Sequence, residues 1–187
     1  MALPCLLSYW AAQPLLGRER AFSAASESIS RMPGTRGVYA RQAFYRRTLR
    51  HVGKDVYFGF LSVFSKPDAV VGDGVYIGRF CCLGRVELGD EAMLADGVQV
   101  LSGRHQHGSV SEAGQPLRSN AQQFDTVRVG RGAWLGTSAV VMADVGERAV
   151  IGAGGVVVKP VPADQTAVGV PAKPIERGGQ DEIRRAA

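Results

Sequence analysis

A spacing of six residues runs through the sequence from residue 70 onward. Aliphatic residues recur at this spacing, most are followed by glycine or alanine, and a second small or compact residue stands four places on. A helix would place apolar residues at spacings of three and four, and an ordinary strand would alternate. The aliphatic positions are Val71, Ile77, Leu83, Leu88 (one place early), Leu94, Val100, Val129, Leu135, Val145 and Ile151, and the compact ones are Val75, Cys81, Ala92, Val98, Ala133, Ala139, Ala149 and Gly155.

The six-residue unit describes a short flat edge followed by a corner. The aliphatic side chain points inward, and the neighbouring small residue permits the turn. Corners of this kind also account for the 24 glycines among 187 residues. Hexapeptide periodicity is typical of a parallel β-helix, whose stacked coils share one narrow core. The sequence therefore predicts an all-β fold, with a tightened corner or one irregular coil between Val141 and Val145, where the repeat loses residues.

The six-residue rhythm stops over residues 102–126. This polar insertion contains His105 and His107, two of the three histidines in the chain. Structureless insertions of this length within a compact domain are usually functional. We therefore expect an extended loop with a functional role.

Residues 1–54 differ in composition from the repeats. They contain nine Lys and Arg residues against Glu19 and Glu27, a balance of +7 in a chain of net charge +5. The spacing predicts a helix over residues 38–52, preceded by the Pro-Gly pair at 33–34. Its apolar face would carry Val38, Tyr45, Leu49 and Val52, with Arg36, Arg41, Arg46, Arg47 and Arg50 largely elsewhere.

Two interpretations of this basic segment stay open. The helix would cap the open end of the β-helix, whose first coil otherwise exposes an unpaired edge, or it would present a basic surface to anionic lipid. Residues 1–17 are apolar but too short to span a bilayer and lack the basic start of a signal peptide. The basic residues match no nucleic-acid motif, so no nucleic-acid partner is expected. Three cysteines without CxxC spacing favour the reducing cytoplasm, with peripheral contact at the inner face of the membrane as the open alternative.

Three stretches resemble the hexapeptide-repeat acyltransferases, which include the galactoside, maltose, serine and xenobiotic acetyltransferases. They are VGDGVYIGRFCCLG, GAWLGTSAVVMADVGERAVIGAGGVVVKPVP and AVGVPAKPI. The resemblance covers about residues 55–177, with the loop at 102–126 inside it and residues 178–187 as a tail. It implies a left-handed parallel β-helix, a homotrimer with active sites between subunits, and acetyl-CoA as co-substrate.

The resemblance also implies a catalytic base in the loop. The run Leu101-Ser102-Gly103-Arg104-His105 resembles the segment that precedes the catalytic histidine of these enzymes, which makes His105 the first candidate. Imidazole suits the removal of a proton from an acceptor hydroxyl because its pKa of ~6.5 lies near working pH. His107 is the rival candidate.

The sequence does not decide which residue orients this histidine or which group stabilises the oxyanion. The acidic residues that would orient the histidine are Glu112, Asp125 and Asp96. A backbone N–H near Gly136 or the Ser102 hydroxyl would donate to the developing oxyanion.

Coenzyme A is expected along the C-terminal half of the chain. Residues 152–155 lack bulk, so a pantetheine arm would lie along their amides. The resemblance places cations near the phosphates of CoA and an aromatic side chain beside the channel. The expected cofactor-binding residues are Trp134, Gly136, Gly154, Lys159, Lys173 and Arg177, and no metal is expected.

These expectations predict an acetyl-CoA-dependent O-acetyltransferase acting on a sugar hydroxyl of a saccharide or polysaccharide precursor. The segment PGTRGVYARQAFYRRTL resembles the N-termini of relatives that modify such precursors. The alternatives are an N-acetyltransferase acting on an amino sugar or small amine, and a catalytically silent scaffold. A zinc hydratase with the same repeat is disfavoured, because it needs three histidine ligands and His51 lies outside the repeats.

Overall fold

A computed structural model describes residues 2–103 and 124–175 of the chain. These residues form three α-helices followed by sixteen short β-strands. The helices are α1 (Leu3–Leu16), α2 (Arg18–Ser30) and α3 (Gly34–Thr48). The strands are β1 (His51–Val52), β2 (Tyr57–Phe58), β3 (Val63–Phe64), β4 (Val70–Val71), β5 (Tyr76–Ile77), β6 (Cys82–Leu83), β7 (Val86–Leu88), β8 (Met93–Leu94), β9 (Gln99–Val100), β10 (Val127–Val129), β11 (Trp134–Leu135), β12 (Val140–Val141), β13 (Val150–Ile151), β14 (Val156–Val157), β15 (Thr166–Val168) and β16 (Lys173–Pro174).

The strands stack into three sheets, which are parallel except for β16 at the end of sheet B. Sheet A has the order β1-β4-β7-β10, sheet B the order β2-β5-β8-β11-β13-β15-β16, and sheet C the order β3-β6-β9-β12-β14. From β1 to β12 successive strands visit A, B and C in turn, so each of these four coils contributes one strand to each sheet. In the next two coils, isolated bridges at Val145 and Val161 take the place of a sheet A strand. The result is a β-solenoid of about five turns. The prediction of a parallel β-helix is confirmed.

The core is a set of aliphatic columns inside the three sheets. In sheet B, Ile77 lies opposite Leu94, which lies opposite Leu135, and Ile151 follows. Every aliphatic position of the six-residue pattern is at most 2% exposed. The compact positions four places on are buried too. The pattern therefore identified the inward-facing residues correctly.

Irregular spacing is confined to one corner of each coil. The inward residues of sheets A and B, and of sheets B and C, are six positions apart in every coil, for example Leu88, Leu94 and Val100. Between sheets C and A, which we call the third corner, the step is only four positions from Val141 to Val145, which bridges to Val129. The predicted tightened corner is thus confirmed, and the loop over residues 102–126 leaves from the same corner.

Carboxylates at the corners bond to the coil before. Asp73 accepts a hydrogen bond from the Lys54 backbone N–H (2.7 Å), and Asp90 accepts one from that of Asp73 (2.8 Å). Asp96 does the same for Arg79 (2.7 Å), and this bond is the main reason that its pKa is lowered. Each bond satisfies a corner amide that the strand ladders leave unpaired.

Helices α2 and α3 cover the first coil. The Phe64 N–H donates to Ser26 Oγ (3.0 Å), the Leu61 N–H donates to the Ser30 carbonyl (3.0 Å), and Gln42 Nε2 donates to the Val56 carbonyl (2.6 Å). An aromatic cluster fills the space between these helices and the coil; its members are Phe22, Phe44, Tyr45, Phe58 and Phe64. The contacts are those of a cap on the open end of the β-helix.

The boundaries of α3 differ from the prediction. It begins at Gly34 and ends at Thr48, whereas a helix over residues 38–52 was expected. The chain leaves the helix early because His51 and Val52 pair with Val70 and Val71 as the first strand of sheet A. Among the described residues, no helix is both long and apolar enough to cross a bilayer.

Arg41 was expected on the polar face of this helix, but it is 1% exposed. Its Nε donates to the Phe58 carbonyl (3.0 Å), and its Nη1 donates to the Met32 (2.7 Å) and Ser30 (3.4 Å) carbonyls. Burial lowers the pKa of this guanidinium. Carbonyls at the end of α2 lack helical partners, and a cation there also suits the helix dipole. Arg41 therefore joins the end of α2 to the first coil.

We predict that Arg41→Met lowers the free energy of unfolding by about 2–4 kcal/mol, because it leaves buried carbonyls without donors. Arg46→Met, on the exposed face of the same helix, should change it by less than about 0.5 kcal/mol. Urea denaturation followed by circular dichroism measures both values. Equal unfolding midpoints for the two variants would show that Arg41 has no capping role.

Candidate active site at the third corner

The loop leaves and rejoins the β-helix at the third corner. Strand β9 ends at Val100 and β10 begins at Val127. The Asp125 N–H donates to the Ser102 carbonyl (3.1 Å), which closes the base of the loop. The candidate bases His105 and His107 and the candidate partner Glu112 lie outside the described residues. Their catalytic roles stay predictions.

Ser102 ties the loop base to the coil below. It is 2% exposed, and its Oγ accepts a hydrogen bond from the Arg85 backbone N–H (2.8 Å). Gly84 lies directly beneath, where any Cβ would overlap Ser102 Oγ. Because Gly84 has no Cβ, the Ser102 side chain can occupy the space beside it at the start of the loop.

Gly103 and Asp125 face each other across the loop base. Gly103 has φ +84°, and a Cβ on it would lie 2.6 Å from Asp125 Oδ2. Glycine adopts this backbone conformation without strain and has no Cβ that would overlap the carboxylate. Asp125 is thus held beside the chain that leads to the histidines. Asp96 lies instead at the corner between sheets B and C, where it forms an ion pair with Arg79 (2.9 Å).

Two basic side chains hold Phe124 where the loop returns. Arg85 Nη1 donates to the Phe124 carbonyl (3.1 Å), and Lys66 Nζ lies 4.2 Å from the centre of its ring. Lys66 is itself paired with Glu19 of α2 (2.5 Å). No motif in the sequence marks Arg85 or Lys66, because their roles depend on how three coils stack.

Trp134 begins β11 and points outward from sheet B, where it is 48% exposed. In register it lies between Met93 and Val150. This position leaves one face of the indole open to a ligand or to another chain. Its role beside a cofactor channel stays a prediction.

The glycine amides proposed for cofactor binding are occupied by protein carbonyls. The Gly136 N–H donates to the Ile151 carbonyl (2.7 Å), and the Gly154 N–H donates to that of Thr137 (2.8 Å). The N–H groups of residues 152 and 155 also donate within the protein. The Gly136 N–H is therefore not free for an oxyanion. A pantetheine arm would have to use other groups on this surface.

The two described lysines of the predicted cofactor site are exposed. Lys159 lies at the third corner after β14, and Lys173 begins β16, opposite Val168. Neither forms an ion pair with any described residue. Arg177 lies outside the described residues. Within residues 2–103 and 124–175, no three His, Cys, Asp or Glu side chains cluster as a metal site would require.

The architecture matches solved structures along most of its length. A maltose O-acetyltransferase from Clostridium difficile 630 aligns with a TM-score of 0.70 and 24% identity over 89% of each chain. The chain has the left-handed β-helix fold of the hexapeptide-repeat acetyltransferases. A galactoside acetyltransferase in complex with coenzyme A shares this hexapeptide-repeat fold, with a TM-score of 0.70 and 20% identity over 88% of this chain and 82% of the other.

Sequence comparison gives shorter matches to acetyltransferases. The serine acetyltransferase of Salmonella typhimurium is 30% identical over 118 residues, which cover 62% of this chain and 39% of the enzyme. The chain spans about two fifths of the length of the curated relatives that it matches, 43% and 39%. No protein-family model matches the chain.

We predict that Gly103→Ala lowers the free energy of unfolding by about 2–3 kcal/mol, from backbone strain plus the overlap with Asp125. Gly154→Ala is the matched control, because Gly154 also has positive φ (+67°) but has no atom within 4 Å of a built Cβ. It should cost only about 1 kcal/mol.

A double-mutant cycle isolates the Asp125 contribution to this effect. In an Asp125→Ala background, the Gly103→Ala penalty should fall toward that of Gly154→Ala without reaching it, because the carboxylate oxygen at 2.6 Å is removed while the Cβ of residue 125, at 2.9 Å, remains. Chemical denaturation of the four proteins measures it. A penalty that is the same with and without the Asp125 carboxylate would rule out this contact as the constraint on the loop base.

Proposed function

We propose that the protein is an acetyl-CoA-dependent O-acetyltransferase whose acceptor is a sugar hydroxyl of a saccharide or polysaccharide precursor. The observation that carries the proposal is the interruption of a regular coil at one corner, by the segment that contains His105 and His107. It is supported by a fold shared over 89% and 88% of the chain with a maltose and a galactoside acetyltransferase.

The exposed groups near the C-terminal coils suit a CoA ligand. Lys159 and Lys173 have no described carboxylate partner and would bind phosphates as point charges. Trp134, with one open face, would cover the pantetheine. Acetyl-CoA would supply the activated acetyl thioester. The curated serine acetyltransferase match supports the same acyl donor class.

A loop histidine would move the proton of the reaction. His105 would accept the proton of the acceptor hydroxyl while that oxygen attacks the thioester carbon, and would then return the proton to the leaving sulfur. Asp125 is at the loop base, where its carboxylate would hold the imidazole in one tautomer. No step requires a metal.

We propose a homotrimer, because sheet B presents an apolar outer face. Tyr76, Met93 and Trp134 stand outward on successive strands of this sheet, and all three are large and exposed. Contiguous apolar patches on monomers are seldom large and usually mark interaction sites. A second copy of the chain would cover this face and place the cofactor surface at a subunit boundary.

N-acetyl transfer to an amino sugar or small amine is the alternative reaction. An assay of CoA release from acetyl-CoA against sugars, nucleotide sugars, amino acids and amines distinguishes the two. Transfer to amines alone would replace the O-acetyltransferase proposal. A protein that binds no CoA would be the silent scaffold.

We predict that His105→Ala lowers kcat for the acceptor found in that screen by about 10²–10⁴-fold, because the hydroxyl loses its base. The dissociation constant for CoA should stay within about twofold, since CoA binding depends on other residues. His107→Ala is the matched control, with a smaller loss expected. If His107→Ala causes the larger loss in kcat, the two histidines exchange roles; undiminished transfer in both variants would remove the histidine mechanism.

Membrane contact through residues 1–54 also stays a prediction, and we propose that α1 makes it. Leu6 and Tyr9 of α1 are buried, but Leu7 and Trp10 are about half exposed and Leu15 is 87% exposed. Residues 2–17 contain no charged side chain. The exposed arginines 18 and 20 follow directly, as expected for a segment that meets anionic lipid. The cytoplasmic face is the expected location.

We predict that Leu7→Gln combined with Trp10→Gln reduces co-sedimentation with vesicles of anionic phospholipid several-fold, because apolar area at the interface is lost. Tyr39→Gln, an exposed aromatic on α3, is the control and should bind as the wild type does. Equal sedimentation of all three proteins, or none by the wild type, would exclude a membrane role for α1.

A further inference from the structure

A polar cavity of about 350 Å³ lies at the base of the loop. Its lining comes from four successive coils, at the start of their sheet A strands. Arg50 precedes β1, Asp68 precedes β4, Arg85 precedes β7 and Thr126 precedes β10, while Glu87 lies within β7. Thr126 is also where the loop rejoins the β-helix, so a ligand in the cavity would lie next to the loop.

Both carboxylates of the lining are already paired. Asp68 pairs with Arg18 (3.3 Å), and Glu87 pairs with Arg128 (3.0 Å), neither of which lines the cavity. The two arginines of the lining have no carboxylate partner among the described residues. The lining itself carries two positive and two negative charges, and with Arg18 and Arg128 included four arginines stand against two carboxylates, a balance of +2.

Arg85 is held in place with one donor unsatisfied. Its backbone N–H donates to Ser102 Oγ (2.8 Å), and its Nη1 donates to the Phe124 carbonyl (3.1 Å). Its Nε is shielded from solvent and has no acceptor among the described residues. Guanidinium groups that line a cavity bind carboxylates and phosphates in bidentate pairs, and Arg85 is one of the lining residues.

We propose that this cavity binds an anionic group, a carboxylate or a phosphate, carried by the acetyl acceptor. The proposal rests on the acetyltransferase function and names a class of substrate for it. CoA is the other source of such an anion, but the lysines expected to hold its phosphates lie on the C-terminal coils. The arginine cavity belongs to the first four coils and lies at the described base of the loop.

Inorganic phosphate is the probe that tests the cavity without an acetyl acceptor. Its dissociation constant is measured by ³¹P NMR titration of the full-length protein at fixed ionic strength. Arg50→Gln and Arg85→Gln should each raise this constant about tenfold, because each removes a charged donor. Arg46→Gln, the same charge change on α3 away from the cavity, should leave it within about twofold.

Arg50→Gln keeps the test independent of folding, because the Arg50 side chain forms no hydrogen bond or ion pair with any described residue. Absence of phosphate binding by the wild type, or equal binding by Arg50→Gln and Arg46→Gln, would overturn the proposal. Displacement of phosphate by CoA would also overturn it, since the anion would then belong to the cofactor. CoA titration of the same samples separates the two hypotheses. If the wild type binds CoA but Arg50→Gln binds phosphate as well as the wild type does, the cavity proposal alone is refuted. If the wild type binds no CoA, the acetyltransferase function on which the proposal rests is refuted.

Discussion

Backbone hydrogen bonding between consecutive coils is the constraint on which this structure depends. Each coil stacks directly on the next. Its backbone N–H and C=O groups therefore form hydrogen bonds with the coils on both sides, and its inward side chains pack in one narrow core. Coils this close leave no room for a Cβ at several corners; at Gly136 it would lie 2.6 Å from the Ala153 nitrogen. The six-residue pattern therefore reflects the lack of space for side chains at the corners as well as the burial of aliphatic residues in the core.

Variation in the length of the step between sheets is confined to one corner of the described coils. The corners on either side of sheet B keep one length in every coil, whereas the third corner ranges from a four-position step at Val141 to the insertion after Val100. Length changes at one corner leave the strand register untouched. Ser102, Arg85 and Asp125 lie together at the same corner. Their contacts anchor the two described ends of the loop that contains the candidate catalytic histidines.

The repeat could be predicted from sequence because one residue type recurs at one spacing. Burial of Ile77, Leu94 and Leu135 followed directly from it. Arg41 was placed wrongly, because hydropathy assigns arginine to solvent, although residues 37, 41, 45 and 48 share one helical face. Its burial depends on carbonyls from another helix and from the first coil, which no local pattern encodes. The role of Arg85 could not be predicted for the same reason. The loop histidines lie outside the described residues.

The two ends of the solenoid are closed by different means. Helices cover the first coil, whereas at the other end β16 runs antiparallel to β15 and the Ala172 N–H donates to the Val156 carbonyl of sheet C. A reversed strand gives an incoming parallel coil the wrong hydrogen-bond pattern. Solenoids that expose matching edges can join end to end into fibres. The reversal at Lys173 and Pro174 therefore disfavours end-to-end joining at this end of the described solenoid.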